Sequence, residues 1–146
     1  MRRRFIPIKV IIIAGLLVLL SLGPDQNNPP KEVMERGKYI FETECGTCHH
    51  PADTIGSSDT LSAKTQWALG SKKQLIKIVL YGQSDSAKVA GNIYRHPIPL
   101  HQQFSDEQVS DVLTYVRNSF GNRAVSITPE EVKKVRLARA KKMKSK

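Results

Sequence analysis

The 146-residue chain has two cysteines, one tryptophan and only 6% aromatic residues. With so few large rings, the 40% hydrophobic fraction, part of it used at the N-terminus, can build one small core, and a bound cofactor is one way to complete such a core. Room for a second domain is lacking, since single domains usually take about 100 to 200 residues. No aromatic side chains interleave with the basic residues, so a stacking platform for nucleic acid is missing, and no nucleic-acid partner is expected. The only long apolar run, residues 10–20, falls short of the roughly 20 residues that span a bilayer. Internal repeats and clear strand patterns are also lacking.

The chain does carry a formal charge of +10, and the charge lies at its ends. Residues 1–9 hold four cations (Arg2, Arg3, Arg4, Lys9), residues 128–146 hold eight cations and two anions, and the intervening residues are neutral overall. The opening MRRRFIPIKVIIIAGLLVLLSLGP has a cationic start, an apolar centre and small residues (Ser21, Gly23) at its end, which is the build of an export signal. Pro24 directly after the small residues leaves an uncleaved membrane anchor as the alternative. Residues 1–23 are therefore assigned to a signal peptide or membrane anchor, and the proline-rich residues 24–30 to a linker.

From Lys31 to Cys45, Val33, Met34, Tyr39, Ile40 and Phe41 fall at mixed spacings of three and four, which predicts a helix. Gly37 and Phe41 share one of its faces, and the glycine allows a second helix to approach closely. A loop over 50–70 contains Trp67. A helix is predicted over 71–81, with Ser71 as N-cap and Gly82 as its stop. After a second irregular segment, 82–104, Ser105 and Gln108 form a capping box that opens SDEQVSDVLTYVRNSF, with Val109, Val112, Leu113 and Val116 as its apolar stripe and Gly121 as its end. Loops of this length inside a small domain usually surround something or carry function. A last helix is signalled by Thr128, Pro129 and Glu131. Its cationic continuation reads either as a solvated helix end, where positive charge is favourable, or as a contact with anionic lipid or an acidic partner.

Both cysteines stand in CGTCH, residues 45–49. A zinc site normally takes four ligands, and no second pair accompanies these. A thioredoxin-like dithiol expects a βαβ setting, which is absent. A single disulfide suits an exported protein but leaves the long loops with nothing to enclose. Haem attachment uses all three residues: each sulfur bonds a vinyl-derived carbon, and the adjacent imidazole reaches iron.

The order of helix, CGTCH, QWALGSKKQLIKIVLYG and FSDEQVSDVLTYVRNSFGN over residues 31–137 resembles class I c-type cytochromes, and more narrowly the haem domains that accompany periplasmic quinoprotein dehydrogenases and oxidases. The basic C-terminal helix or tail read from the residues occupies 128–146; the resemblance implies an all-α cytochrome c fold over residues 31–127, wrapped around one covalent haem c. It implies Cys45 and Cys48 as thioether anchors, His49 as proximal iron ligand, Gly37 and Phe41 packed on Tyr115, and Trp67 near the haem propionates. The chain departs from the family twice. Ile98-Pro99 stands where a Met-Pro step usually supplies the sixth ligand, and Met1, Met34 and Met143 are the only methionines. Met34 precedes the motif by about 16 Å of helix, too far to coordinate. The loop SSDTLSAKTQW also lacks the proline whose carbonyl accepts the proximal imidazole's N–H, a bond that orients the ring. For the sixth position His96 and His101 are the candidate distal ligands; an open site and Tyr94 remain alternatives. Replacing a thioether by imidazole lowers the haem potential, and an open site admits small molecules. The apolar residues around Ile98 favour electron transfer over catalysis. The expectation is an exported, periplasmic single-electron carrier, not an enzyme, serving a dehydrogenase or respiratory complex; haem-based small-molecule sensing is the alternative. Membrane association would come through the N-terminal segment or the basic tail.

Overall fold

The computed structural model describes residues 28–49, 68–83, 87–89, 92–94 and 99–145. The export segment, His50, Trp67, His96 and Ile98 lie outside the described residues, and of Tyr94 only the backbone is described.

Helix α1, Lys31–Ile40, starts directly after Pro30, with Glu32 in its first turn and Lys38 in its last, each the sign its end of the helix dipole favours. It buries Gly37 and Ile40. The helix does not continue unchanged to Cys45 as the spacing predicts. Over Phe41–Cys45 it widens, so that the Gly46 N–H reaches back five residues to the Phe41 carbonyl at 2.8 Å. The Thr43 hydroxyl donates back to the Tyr39 carbonyl at 2.9 Å. Such widened turns insert one residue into the helical repeat and recur at functional sites.

Helix α2, Lys72–Tyr81, follows Ser71 and stops at Gly82, whose φ of 66° is left-handed. Ser71 occupies the N-cap as predicted, but its hydroxyl makes no cap bond; its carbonyl accepts instead from Gln74 and Leu75, both at 3.0 Å. Ile76 and Leu80, four apart, are buried in the core. The irregular segment after α2 contains two strands that the sequence pattern did not suggest. Strands β1, Ala87–Val89, and β2, Asn92–Tyr94, pair antiparallel with Lys88 opposite Ile93. Three residues are too few to display an alternating pattern, and only the two-residue Ala90-Gly91 connection hints at a hairpin. The class remains all-α.

Helix α3, Asp106–Arg117, begins with the predicted capping box: Gln108 N–H donates to Ser105 Oγ at 3.1 Å, and Ser105 N–H to Gln108 Oε1 at 2.8 Å. Its predicted stripe is buried. The helix ends four residues before Gly121, where Asn118 and Asn122 donate to the Thr114 and Val116 carbonyls (3.0 and 2.9 Å) and take over helix-end acceptors. Helix α4, Pro129–Lys144, also opens with its predicted box, Thr128 N–H to Glu131 Oε2 at 2.9 Å and Glu131 N–H to Thr128 Oγ1 at 3.3 Å.

Helix α1 packs chiefly on α3, and Gly37 sets how close they come. A methyl group on Gly37 would overlap the Asp111 carbonyl oxygen and lie 2.7 Å from Tyr115 Cβ. Beside this crossing Phe41, Tyr115 and Phe120 pack as three rings with centroids 5.1 to 5.7 Å apart, which agrees with the expected packing of Gly37 and Phe41 on Tyr115. Arg36 grips the buried Asp111 carboxylate through Nε at 2.6 Å and a second nitrogen at 3.3 Å. Helix α4 closes the core with Val132 and Val135. Fully buried Thr114 fixes the approach to α4: its hydroxyl donates to the Ile127 carbonyl at 3.2 Å and accepts the Ile127 N–H at 3.0 Å.

Candidate cofactor-attachment site

The widened turn delivers Cys45, Cys48 and His49 to one end of α1. Cys45 packs against the core, and the N–H groups of Cys48 and His49 both donate to its carbonyl, at 3.1 and 2.9 Å. The Cys48 thiol faces solvent. Both sulfurs are free, held within a single turn. His49 is half-buried, and that burial lowers its pKa, favouring the neutral imidazole whose lone pair can bind a metal.

The electrostatics separate this pair from a redox dithiol. Burial, with smaller contributions from Glu44 and Cys48, pushes the Cys45 thiol up to about 11. Catalytic dithiols need the opposite, a thiol acidified toward neutral pH so that the thiolate can attack. Among the described residues, which do not include His50, no three His, Cys, Asp or Glu side chains gather as they would around a protein-held metal ion. The arrangement fits a covalently attached haem c: one sulfur against the core, one at the surface, and a neutral imidazole immediately after them.

Of the two candidate distal histidines, His101 is described. Its backbone N–H donates to the Val79 carbonyl of α2 at 2.9 Å, and its ring stacks on Phe104 with centroids 4.8 Å apart and planes at 23°. Met143 is 69% exposed near the end of α4, and Met34 lies in α1, so neither described methionine is placed where the family's loop ligand would be.

Two arginines shape the loops around the site, and neither stands out in the sequence. Arg117, buried at the end of α3, donates to the carbonyls of Ala68 (2.7 Å), Gly70 (3.2 Å) and Val125 (2.9 Å). It thereby pins the chain that directly follows Trp67; burial lowers its pKa, with Glu131 opposing. Arg136, on α4, donates to Asp106 Oδ1 at 2.8 Å, to the Gln102 carbonyl at 3.2 Å and to the Phe104 carbonyl. It holds the bend that carries His101. In the sequence Arg117 looks like an ordinary helix-end cation and Arg136 like one more charge of the basic tail; only the partners, most of them dozens of residues away, distinguish them.

A helical fold with two cysteines and a histidine on one turn is the arrangement that covalent haem attachment requires. The sequence model of the family described as Cytochrome c matches residues 34–120, and the chain belongs to that family. It is also 30% identical over 107 residues to the protein named fructose dehydrogenase cytochrome subunit of Gluconobacter japonicus, an alignment covering 68% of this chain and 22% of that protein. The chain therefore spans about a fifth of that relative's length. Family membership makes the cofactor a covalently bound haem c and the general role electron transfer.

Proposed function

We propose that this protein is an exported, periplasmic single-electron carrier that serves as redox partner or subunit of a dehydrogenase or respiratory complex, without catalytic chemistry of its own. The observation that carries the reading is the turn Cys45–His49, which presents two free thiols and a half-buried imidazole in a chain matched by the Cytochrome c family. In this reading Cys45 and Cys48 hold the haem, His49 supplies the proximal bond, and His96 or His101 supplies the distal one. Once bound, the haem supplies an iron couple that takes one electron from a donor and gives it to an acceptor. The protein's part is to fix and shield that group. Cys45 anchors it against the core, Arg117 holds the Ala68–Gly70 backbone next to Trp67, and Arg136 holds the bend bearing His101. The dehydrogenase assignment draws on the name of the Gluconobacter relative. Export rests on the cationic and apolar residues 1–23; no helix among the described residues is long and apolar enough to cross a membrane.

The test is spectroscopic. The reading expects low-spin iron, oxidised and reduced, that is indifferent to carbon monoxide, and loss of that state in His96→Ala or His101→Ala. High-spin iron that binds the gas at once favours the second reading, small-molecule binding at an open sixth position, which rests on Ile98 standing in the family's methionine register.

A further inference from the structure

Helix α4 has two unlike sides. On the inner one, Val132 and Val135 enter the core, Glu131 pairs with Lys72 at 3.1 Å, Arg136 grips Asp106, and the Arg139 guanidinium lies 4.0 Å from the centre of the Tyr81 ring. On the outer side, at 3.6 residues per turn, Lys133, Lys134, Lys141 and Lys144 all fall within about 60° of Leu137. Leu137 is 61% exposed, and the four lysines around it are exposed. Among the described residues, none of these lysines makes an ion pair. Glu130, in the first turn, is the one acid on this side.

The helix dipole accounts for only part of this charge. It favours cations within the last turn, which covers Lys141 and Lys144; Lys133 and Lys134, near the beginning of the helix, lie three and four residues after Glu130, whose carboxylate interacts favourably with both but offsets only one of the four charges. Lys141 and Lys144, three residues apart, repel along the helix, and an acidic surface would relieve that repulsion. A membrane fits less well. A helix lying in a lipid interface needs a broad apolar face rich in Trp, Phe or Leu, whereas here one leucine is ringed by lysines and the exposed Met143 lies about 120° away from it. A second copy presents the same positive face and is repelled.

We propose that the outer face of α4 is a docking surface for a protein partner with an acidic patch, Leu137 filling an apolar spot at its centre. The proposal rests on the electron-carrier reading and assigns the partner contact to this helix, while the thiol turn stays with the cofactor. Opposite charge across such a contact chiefly accelerates association and makes it sensitive to salt.

The experiment places a photo-cross-linking residue at position 137 of the full-length holoprotein in its native host, with position 39 on α1, at least as exposed, as control. The expected result is an adduct at 137, not at 39, with one oxidoreductase subunit that carries an acidic surface. The combined variant K133E/K134E/K141E/K144E should lose that adduct and, with the purified partner at low salt, associate at least about tenfold more slowly. Adducts with lipid alone, no adduct, or a protein adduct that survives the charge reversal would overturn the proposal. Reversible oxidation and reduction of the same variant by a small inorganic mediator is read in parallel. If mediator exchange is intact while docking evidence is absent, the docking surface alone fails; if mediator exchange is absent in the unaltered protein too, the electron-carrier reading fails. Thermal melting of the variant, and the companion in which the four lysines become glutamine, checks that α4 stays folded.

Discussion

Gly37→Ala is the substitution for which the fold makes the sharpest quantitative statement. Taken in isolation α1 should gain, because alanine is favoured over glycine inside a helix by about 1 kcal/mol. The new methyl group, however, would overlap the Asp111 carbonyl oxygen and stand 2.7 Å from Tyr115 Cβ and 2.8 Å from the Asp111 carbonyl carbon. These atoms belong to or are rooted in the α3 backbone, so no rotamer change relieves the overlap; the helices must separate. Overpacking of a filled core costs about 1 to 3 kcal/mol. Separation also stretches the Arg36–Asp111 pair, whose carboxylate is buried, and the Phe41–Tyr115 contact. With the steric cost at the upper end and the propensity gain subtracted, a net loss of about 2 kcal/mol is expected, which lowers the melting temperature of a domain this size by about 10 °C. Thermal unfolding of the holoprotein followed by far-ultraviolet circular dichroism reads it, with the exposed Lys38→Ala as a control that shifts little. A Gly37→Ala protein that melts at or above the unaltered one would refute the close crossing of α1 and α3.

Thr114→Val keeps the volume but leaves the N–H and carbonyl of Ile127 without the hydroxyl they share; chemical denaturation should show a loss of about 2 kcal/mol. Arg136→Ala releases the Gln102 and Phe104 carbonyls and Asp106. It should cost about 1 kcal/mol, since the Arg136–Asp106 pair is partly exposed, and should speed hydrogen exchange at residues 101–104 while α1 amides exchange as before. Cys48→Ala leaves one anchoring thiol, so the pyridine haemochrome spectrum should shift to that of a singly attached haem; a normal doubly bridged spectrum would contradict the assignment of Cys48.

The most legible parts of the chain were those governed by neighbours in sequence. Both capping boxes, Ser105 with Gln108 and Thr128 with Glu131, form as their spacing predicts, and the α3 stripe is buried, because caps and helical faces depend on residues three or four apart. CGTCH was legible for the same reason: the chemistry requires three side chains on one turn. The widened turn at Phe41–Cys45 was not, since its hydrogen-bond shift arises where the helix meets the core and leaves no pattern in residue type. The roles of Arg117 and Arg136 leave no mark in the sequence because their carbonyl partners lie on other segments, and a carbonyl carries no sequence signature. The Ile98-Pro99 step in the family's methionine register is a matter of sequence position, and Ile98 lies outside the described residues.

The central claim is that Cys45 and Cys48 hold one haem covalently. Intact mass of the purified holoprotein under denaturing conditions tests it most directly. The account predicts a single species heavier than the polypeptide by one haem, which falls to the polypeptide mass when both cysteines are replaced by alanine. A protein that runs at the bare polypeptide mass after production in cells that mature c-type cytochromes would contradict it.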